Sequence, residues 1–207
     1  MEDWFEETHL LVRRYNPSLY QRFEHAVSVE GQLEDMDNCE IDYEVLIPEY
    51  VPITHGTITN EFVLRFSSNS SRFIPFASLN PFQSSNPAKI LKDLINCGFK
   101  GLKLIPTYNH FYPNDPKVYP CYEVAAERKI PVLIHTGSSV FKGSKIKYGD
   151  PILIDEVAVD FPELTIIQAH GGQGDLVSNG LSYGETPSKC IYRYSRSTCP
   201  KSPKILS

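Results

Sequence analysis

From about residue 41 onward the chain alternates short apolar runs with stretches of helical period. The runs DYEVLIPE (42–49), RFIPFASL (72–79), FKGLKLIP (99–106), IPVLIHT (130–136) and LTIIQAH (164–170) are nearly continuous in apolar residues. That pattern predicts strands buried on both faces. Between them, NPAKILKDLINCG (86–98) predicts a helix with Asn86 at its cap and Pro87 at its first position. Ile90, Leu91, Leu94 and Ile95 fall on one face of it, and Gly98 stops it. The unit recurs in NDPKVYPCYEVAAERK (114–129), opened by Asp115 and Pro116, although Pro120 lacks an N–H and pushes the helix start later. It recurs again in GDPILIDEVAVDFP (149–162), opened by Asp150 and Pro151 and closed by Pro162. Earlier, 59–68 predicts a shorter helix and 21–38 a longer one interrupted by glycine.

Strand and helix alternating at roughly 30 residues per pair imply parallel strands joined by right-handed crossovers, and so an α/β fold. No GxGxxG or GxxxxGK[ST] loop follows any strand, which removes the main reason to choose a nucleotide-binding open sheet. The pattern alone leaves barrel and open sheet undecided. A (β/α)8 barrel takes typically ~250 residues, and only five strands can be counted here.

In either parallel architecture the C-terminal strand ends line the ligand site. His135 closes one apolar run and His170 closes the next, Glu49 follows VLIP, and Lys103 lies inside KGLKLIP. A single buried-strand histidine is usually a packed core residue; two at matching points of successive units are candidates to meet at one ion. Lys103 and Glu49 are candidate substrate contacts, with a snorkelling or ion-paired side chain as the bland alternative. The long aromatic loop after residue 106 offers Tyr108, His110 and Phe111 to line a pocket or simply to cover the core. His9, His25 and His55 read as surface or packing residues.

Composition narrows the partners. The 207 residues are 41% hydrophobic, enough to bury a core, and the net charge of −5 argues against a nucleic-acid surface. No segment approaches the ~18 apolar residues of a membrane span, and the N-terminus lacks a signal-peptide core. The expectation is a cytoplasmic protein whose partners are small molecules, with no nucleic acid and no membrane, and with a homo-oligomer as the other assembly to consider. Five scattered cysteines, never spaced as CxxC, read as reduced thiols, and none is a candidate nucleophile.

The stretches RFIPFASLNP, GFKGLKLIPTYNHFYPNDPKVYPCYEVAAERKIPVLIHTGSSVF and KYGDPILIDEVAVDFPELTIIQAHGG closely resemble the amidohydrolase-related family over about residues 30–174. These are metal-dependent TIM-barrel hydrolases that include decarboxylases such as aminocarboxymuconate-semialdehyde decarboxylase. The resemblance implies one divalent metal, usually zinc and in some members manganese, held by a His-x-His pair on strand one, a histidine ending strand five and an aspartate ending strand eight. His135 matches the strand-five ligand. His170 matches the strand-six histidine that assists the metal-bound water, whose pKa such a metal lowers from 15.7 to roughly 7.

No His-x-His occurs in the chain, and no aspartate matches the last ligand. The expected fold is therefore a partial (β/α)8 TIM barrel over residues 1–174, with five to six βα units and the first and last strands missing. Residues 175–207 are expected to be an irregular tail outside the family pattern: KCIYRYSRSTC, back-translated and read one nucleotide over, can spell the family-like NVYIDIAGLP. The expected function is hydrolysis or non-oxidative decarboxylation of a small molecule, impaired in this chain. The alternative is a non-catalytic barrel fragment acting through oligomerisation or partner pairing.

Overall fold

The computed structural model describes residues 27–54, 56–139 and 141–170, isolated positions from Leu10 to His25, and the backbone of Cys190–Arg193. The first three described helices each start at a side-chain cap. In α1 (Val29–Asn38) the Ser28 hydroxyl accepts from Gly31 N at 3.0 Å. The break expected at Gly31 therefore falls just before Val29. Thr59 caps α2 (Asn60–Ser67), and the Asn86 side chain accepts from Lys89 N at 2.9 Å to cap α3 (Pro87–Asn96), whose first turn holds Pro87. A one-turn helix, α4 (Pro106–Asn109), occupies the start of the expected aromatic loop. Pro120 delays α5 to Tyr119–Glu127, and Asp115 caps the turn before it by accepting from Lys117 N at 2.9 Å. Before α6 (Ile152–Asp160), Asp150 accepts from Ile152 N at 3.1 Å.

Strand β1 (Glu44–Leu46) pairs in parallel with β4 (Phe73–Pro75). Between them in sequence, β2 (Glu49–Val51) and β3 (Gly56–Ile58) form an antiparallel hairpin that the apolar pattern did not predict. Glu49 thus opens a hairpin strand and does not end a barrel strand, because Pro48 interrupts the run. A five-stranded parallel sheet follows in the order β5 (Ala77–Ser78), β6 (Leu102–Leu104), β7 (Val132–His135), β8 (Ile166–Ala169) and β9 (Cys190–Arg193). Phe76 joins β4 to β5 and donates its N–H to Leu46 O at 2.9 Å, so one chain segment carries both ladders. Every parallel neighbour is the next such strand in sequence, with no reversal of order. An open doubly wound sheet needs that reversal, and a barrel wall does not.

The wall is a partial (β/α)8 barrel. The 175–207 region expected to be irregular holds β9, parallel to β8; Ile191 and Tyr192 are good strand formers. The boundary expected at 174, and His9 and His55, lie outside the described residues. Exposed His25 contacts the Glu34 carboxylate at 2.7 Å.

Alternation along each strand divides the two faces. Leu102, Leu104, Val132, Ile134 and Ile166 pack against Leu91, Tyr122, Val124, Ile154 and Val157 of the helices, forming the main core. The intervening residues face the other way, into the barrel. Register places Ser78, Lys103, Leu133 and Ile167 side by side there, with His135 and Ala169 paired one step nearer the C-terminal rim. Cys97 and Cys121 are free thiols, whereas Cys39 is disulfide-bonded, contrary to the reading of five reduced thiols, which rested on spacing alone. No helix among the described residues is long and apolar enough to cross a membrane.

Candidate active site

Lys103 is 4% exposed, on the inward face of β6 beside Ser78 of β5. Burial lowers its pKa to about 8, against a weaker upward pull from the Glu49 carboxylate. A charged group placed where it loses hydration destabilises the fold, which makes it a candidate for function. The Ser78 hydroxyl, in the same layer, is sealed from solvent and has no hydrogen-bond partner among the described residues.

His135, 6% exposed, ends β7, and its ring centroid lies 4.9 Å from that of His170 at an interplanar angle of 64°. Thr136 holds the two strand ends together: its hydroxyl donates to Ala169 O at 2.6 Å and its N–H to the same oxygen at 3.3 Å. His170 has φ of 67°, the left-handed region, which typically costs a non-glycine residue about 1–3 kcal/mol. The backbone turn directs this imidazole back toward His135. Burial lowers the His170 pKa, and the Lys103 charge lowers it further, so its neutral form prevails at pH 7.

The Tyr108 ring packs 4.9 Å from His135 on the other side, and Phe141 meets Tyr108 edge-on at 6.0 Å. Burial raises the Tyr108 pKa, Ser139 lowers it through a hydrogen bond, and Glu49 raises it again. Glu49 therefore acts electrostatically on both Lys103 and Tyr108. The structure thus gathers Lys103, Glu49, Tyr108, His135 and His170 at one end of the sheet.

His110 is engaged elsewhere. Its Nε2 donates to Gly143 O at 2.8 Å and its ring stacks on Tyr148 at 5.8 Å, fastening the 141–149 segment over α4. Lys145 N donates to Thr107 O at 3.0 Å and Gly137 N to Gly149 O at 2.7 Å, which closes that segment. Phe111 belongs to the main core and stacks on Phe82, away from the rim. Sequence reasoning missed Ser78, Thr136 and Phe141. Only register exposes the first two, whereas Phe141 is the single aromatic in the loop GSSVFKGSK and could have been singled out.

Two imidazoles suit a divalent ion's preference for nitrogen donors, but a catalytic zinc centre takes three protein ligands. Among the described residues no group of three His, Cys, Asp or Glu is placed to hold an ion. The described donors therefore fall short of a complete metal centre.

Residues 13–187 match the amidohydrolase family profile, and the chain belongs to that family. No curated protein sequence matches it significantly. Solved structures with the same fold include an uncharacterized TIM-barrel protein of Bordetella bronchiseptica, at TM-score 0.64 and 22% identity, covering 80% of this chain and 58% of that one. A 2,6-dihydroxybenzoate decarboxylase complexed with 2,6-dihydroxybenzoate matches at TM-score 0.58 and 18% identity, over 77% of this chain and 61% of its own. The 5-carboxyvanillate decarboxylase of Novosphingobium aromaticivorans, solved with bound manganese, matches at TM-score 0.54 and 18% identity, over 73% and 53%. The chain thus spans about six-tenths or less of the length of these structures.

Proposed function

We propose that this chain carries the anion-binding and proton-transfer rim of an amidohydrolase-family enzyme that hydrolyses or non-oxidatively decarboxylates a small carboxylate-bearing molecule. The observation that carries this reading is the convergence of buried Lys103 and His135 with half-buried His170 toward the C-terminal ends of three adjacent parallel strands. The Lys103 ammonium, poorly hydrated in a low-dielectric pocket, attracts a substrate carboxylate, and binding that anion in turn keeps the ammonium charged. Neutral His170 accepts a proton at the reacting centre. The Tyr108 and Phe141 rings supply a flat wall for an apolar or aromatic substrate body. Ser78 offers one hydroxyl for orientation.

His135 would be one ligand of a divalent ion, zinc or manganese, which in this family would supply Lewis-acid activation of water. The expected result is weak binding of zinc or manganese to the chelator-treated chain, read by calorimetry, that falls at least tenfold in His135→Ala, together with binding of 2,6-dihydroxybenzoate that weakens at least tenfold in Lys103→Met. Equal metal affinity in both proteins removes His135 as a ligand, and unchanged carboxylate binding removes Lys103 from the anion site.

A second reading rests on the edge of β1, which among the described residues pairs on one side only, with β4. A parallel edge strand left open can pair with another copy of the chain. Concentration-dependent dimers without metal or substrate binding would favour this non-catalytic role; a monomer that binds both favours the enzyme.

A further inference from the structure

A cavity of about 320 Å³ runs along β1 between α1 and α2. It is lined by Val45, Leu46, Phe62, Val63 and Phe66 among other apolar side chains, and its polar members are Gln32 and Glu44. It lies apart from the rim of Lys103, His135 and His170, which stands on β6 to β8. Its size is that of a small-molecule site with few polar groups fixing orientation.

Glu44 gives this cavity its chemistry. Its Oε2 is sealed from solvent and has no hydrogen-bond partner among the described residues. Among the described residues no lysine, arginine or histidine lines the cavity. Arg72, whose carbonyl accepts from Glu44 N at 2.9 Å, is turned to other work: its guanidinium donates to Asp37 Oδ1 at 2.6 Å, Ile41 O at 2.6 Å and Asp42 O at 3.1 Å. The charge that does act on Glu44 is Asp35, of the same sign; burial first and Asp35 second hold its carboxyl above the usual range. A half-buried carboxyl whose one oxygen is sealed from water, with no cation among the described residues beside it, is costly, and a bound cation removes that cost. The ligand that satisfies both features has one positive charge on an apolar body.

We propose that this cavity binds a small apolar amine as its ammonium ion, with the charged head on Glu44 and the apolar body among Leu46, Phe62, Val63 and Phe66. The site is independent of the rim chemistry, so either reading can fail alone.

Isothermal titration of the full chain with hexylammonium, hexanol and hexanoate tests it, with methyl NMR as the map. The expected result is saturable one-to-one binding of hexylammonium, at least tenfold weaker binding of hexanol and hexanoate, and shifts centred on Val45, Leu46 and Val63. Glu44→Gln should keep its near-ultraviolet circular dichroism and lose at least tenfold in hexylammonium affinity. Absence of saturable binding, equal affinity for hexanol, unchanged affinity in a folded Glu44→Gln, or shifts centred on Leu133 and Ile167 would each overturn the proposal. Should Glu44→Gln fail to fold, the hexylammonium and hexanol comparison on the unaltered chain decides the matter.

Discussion

Lys103→Met keeps the length and apolar stem of the side chain and deletes only the ammonium. The ordinary lysine value is 10.5 and burial brings Lys103 to about 8. At about 1.4 kcal/mol per unit, charging this group in the folded protein costs ~3 kcal/mol at pH 7. That figure already contains the attraction of Glu49, so the substitution should stabilise the chain by about 3 kcal/mol at pH 7. Because the folded pKa lies below the unfolded one, the penalty is absent above about pH 10.5 and develops as pH falls toward 8. The advantage of Lys103→Met should accordingly shrink by about 1 kcal/mol between pH 7 and pH 9. Urea unfolding of chelator-treated protein at the two pH values measures both quantities. A variant no more stable than the parent at pH 7, or a difference that ignores pH, would refute the claim that this ammonium is desolvated.

Three further substitutions probe the scaffold around it. Gly149 has φ of −103°, which any residue adopts, but an added Cβ would lie 2.6 Å from Gly137 O and from Thr107 Oγ1. Gly149→Ala should cost about 1–3 kcal/mol by urea unfolding and speed proteolysis within 137–149. At His170 the left-handed backbone favours glycine, so His170→Gly should be more stable than His170→Ala by about 1 kcal/mol in the same assay. Thr136→Val deletes the hydroxyl bond to Ala169 O and should cost about 1 kcal/mol while weakening carboxylate binding, read by calorimetry.

How much of this was legible beforehand depended on the range of the interaction. Helix starts at Asn86 and Thr59 were readable because capping is local, and the delayed start at Tyr119 followed from the missing N–H of Pro120. The β2–β3 hairpin was hidden, since PITHGTI carries no two-residue turn signal and the strand expected over 42–49 was carried past Pro48 to Glu49. Barrel winding emerged only from strand order, which the pattern of apolar runs does not specify. His135 and His170 stood out because each ends an apolar run, but their 4.9 Å approach needed the register of β7 on β8 and the left-handed turn at His170. Lys103 could be suspected from a charge inside an apolar run. Ser78 could not, because its role follows from pairing with a strand that is 25 residues away at Lys103.

Lys103 and His170 share one water-poor space, and ring NMR of His170 across pH tests this most directly. Chelator-treated protein should show His170 titrating below 6.5, and Lys103→Met should move that value upward by removing the nearby positive charge while burial remains. A His170 that titrates at 6.5 or above, and does not respond to the loss of Lys103, would contradict it.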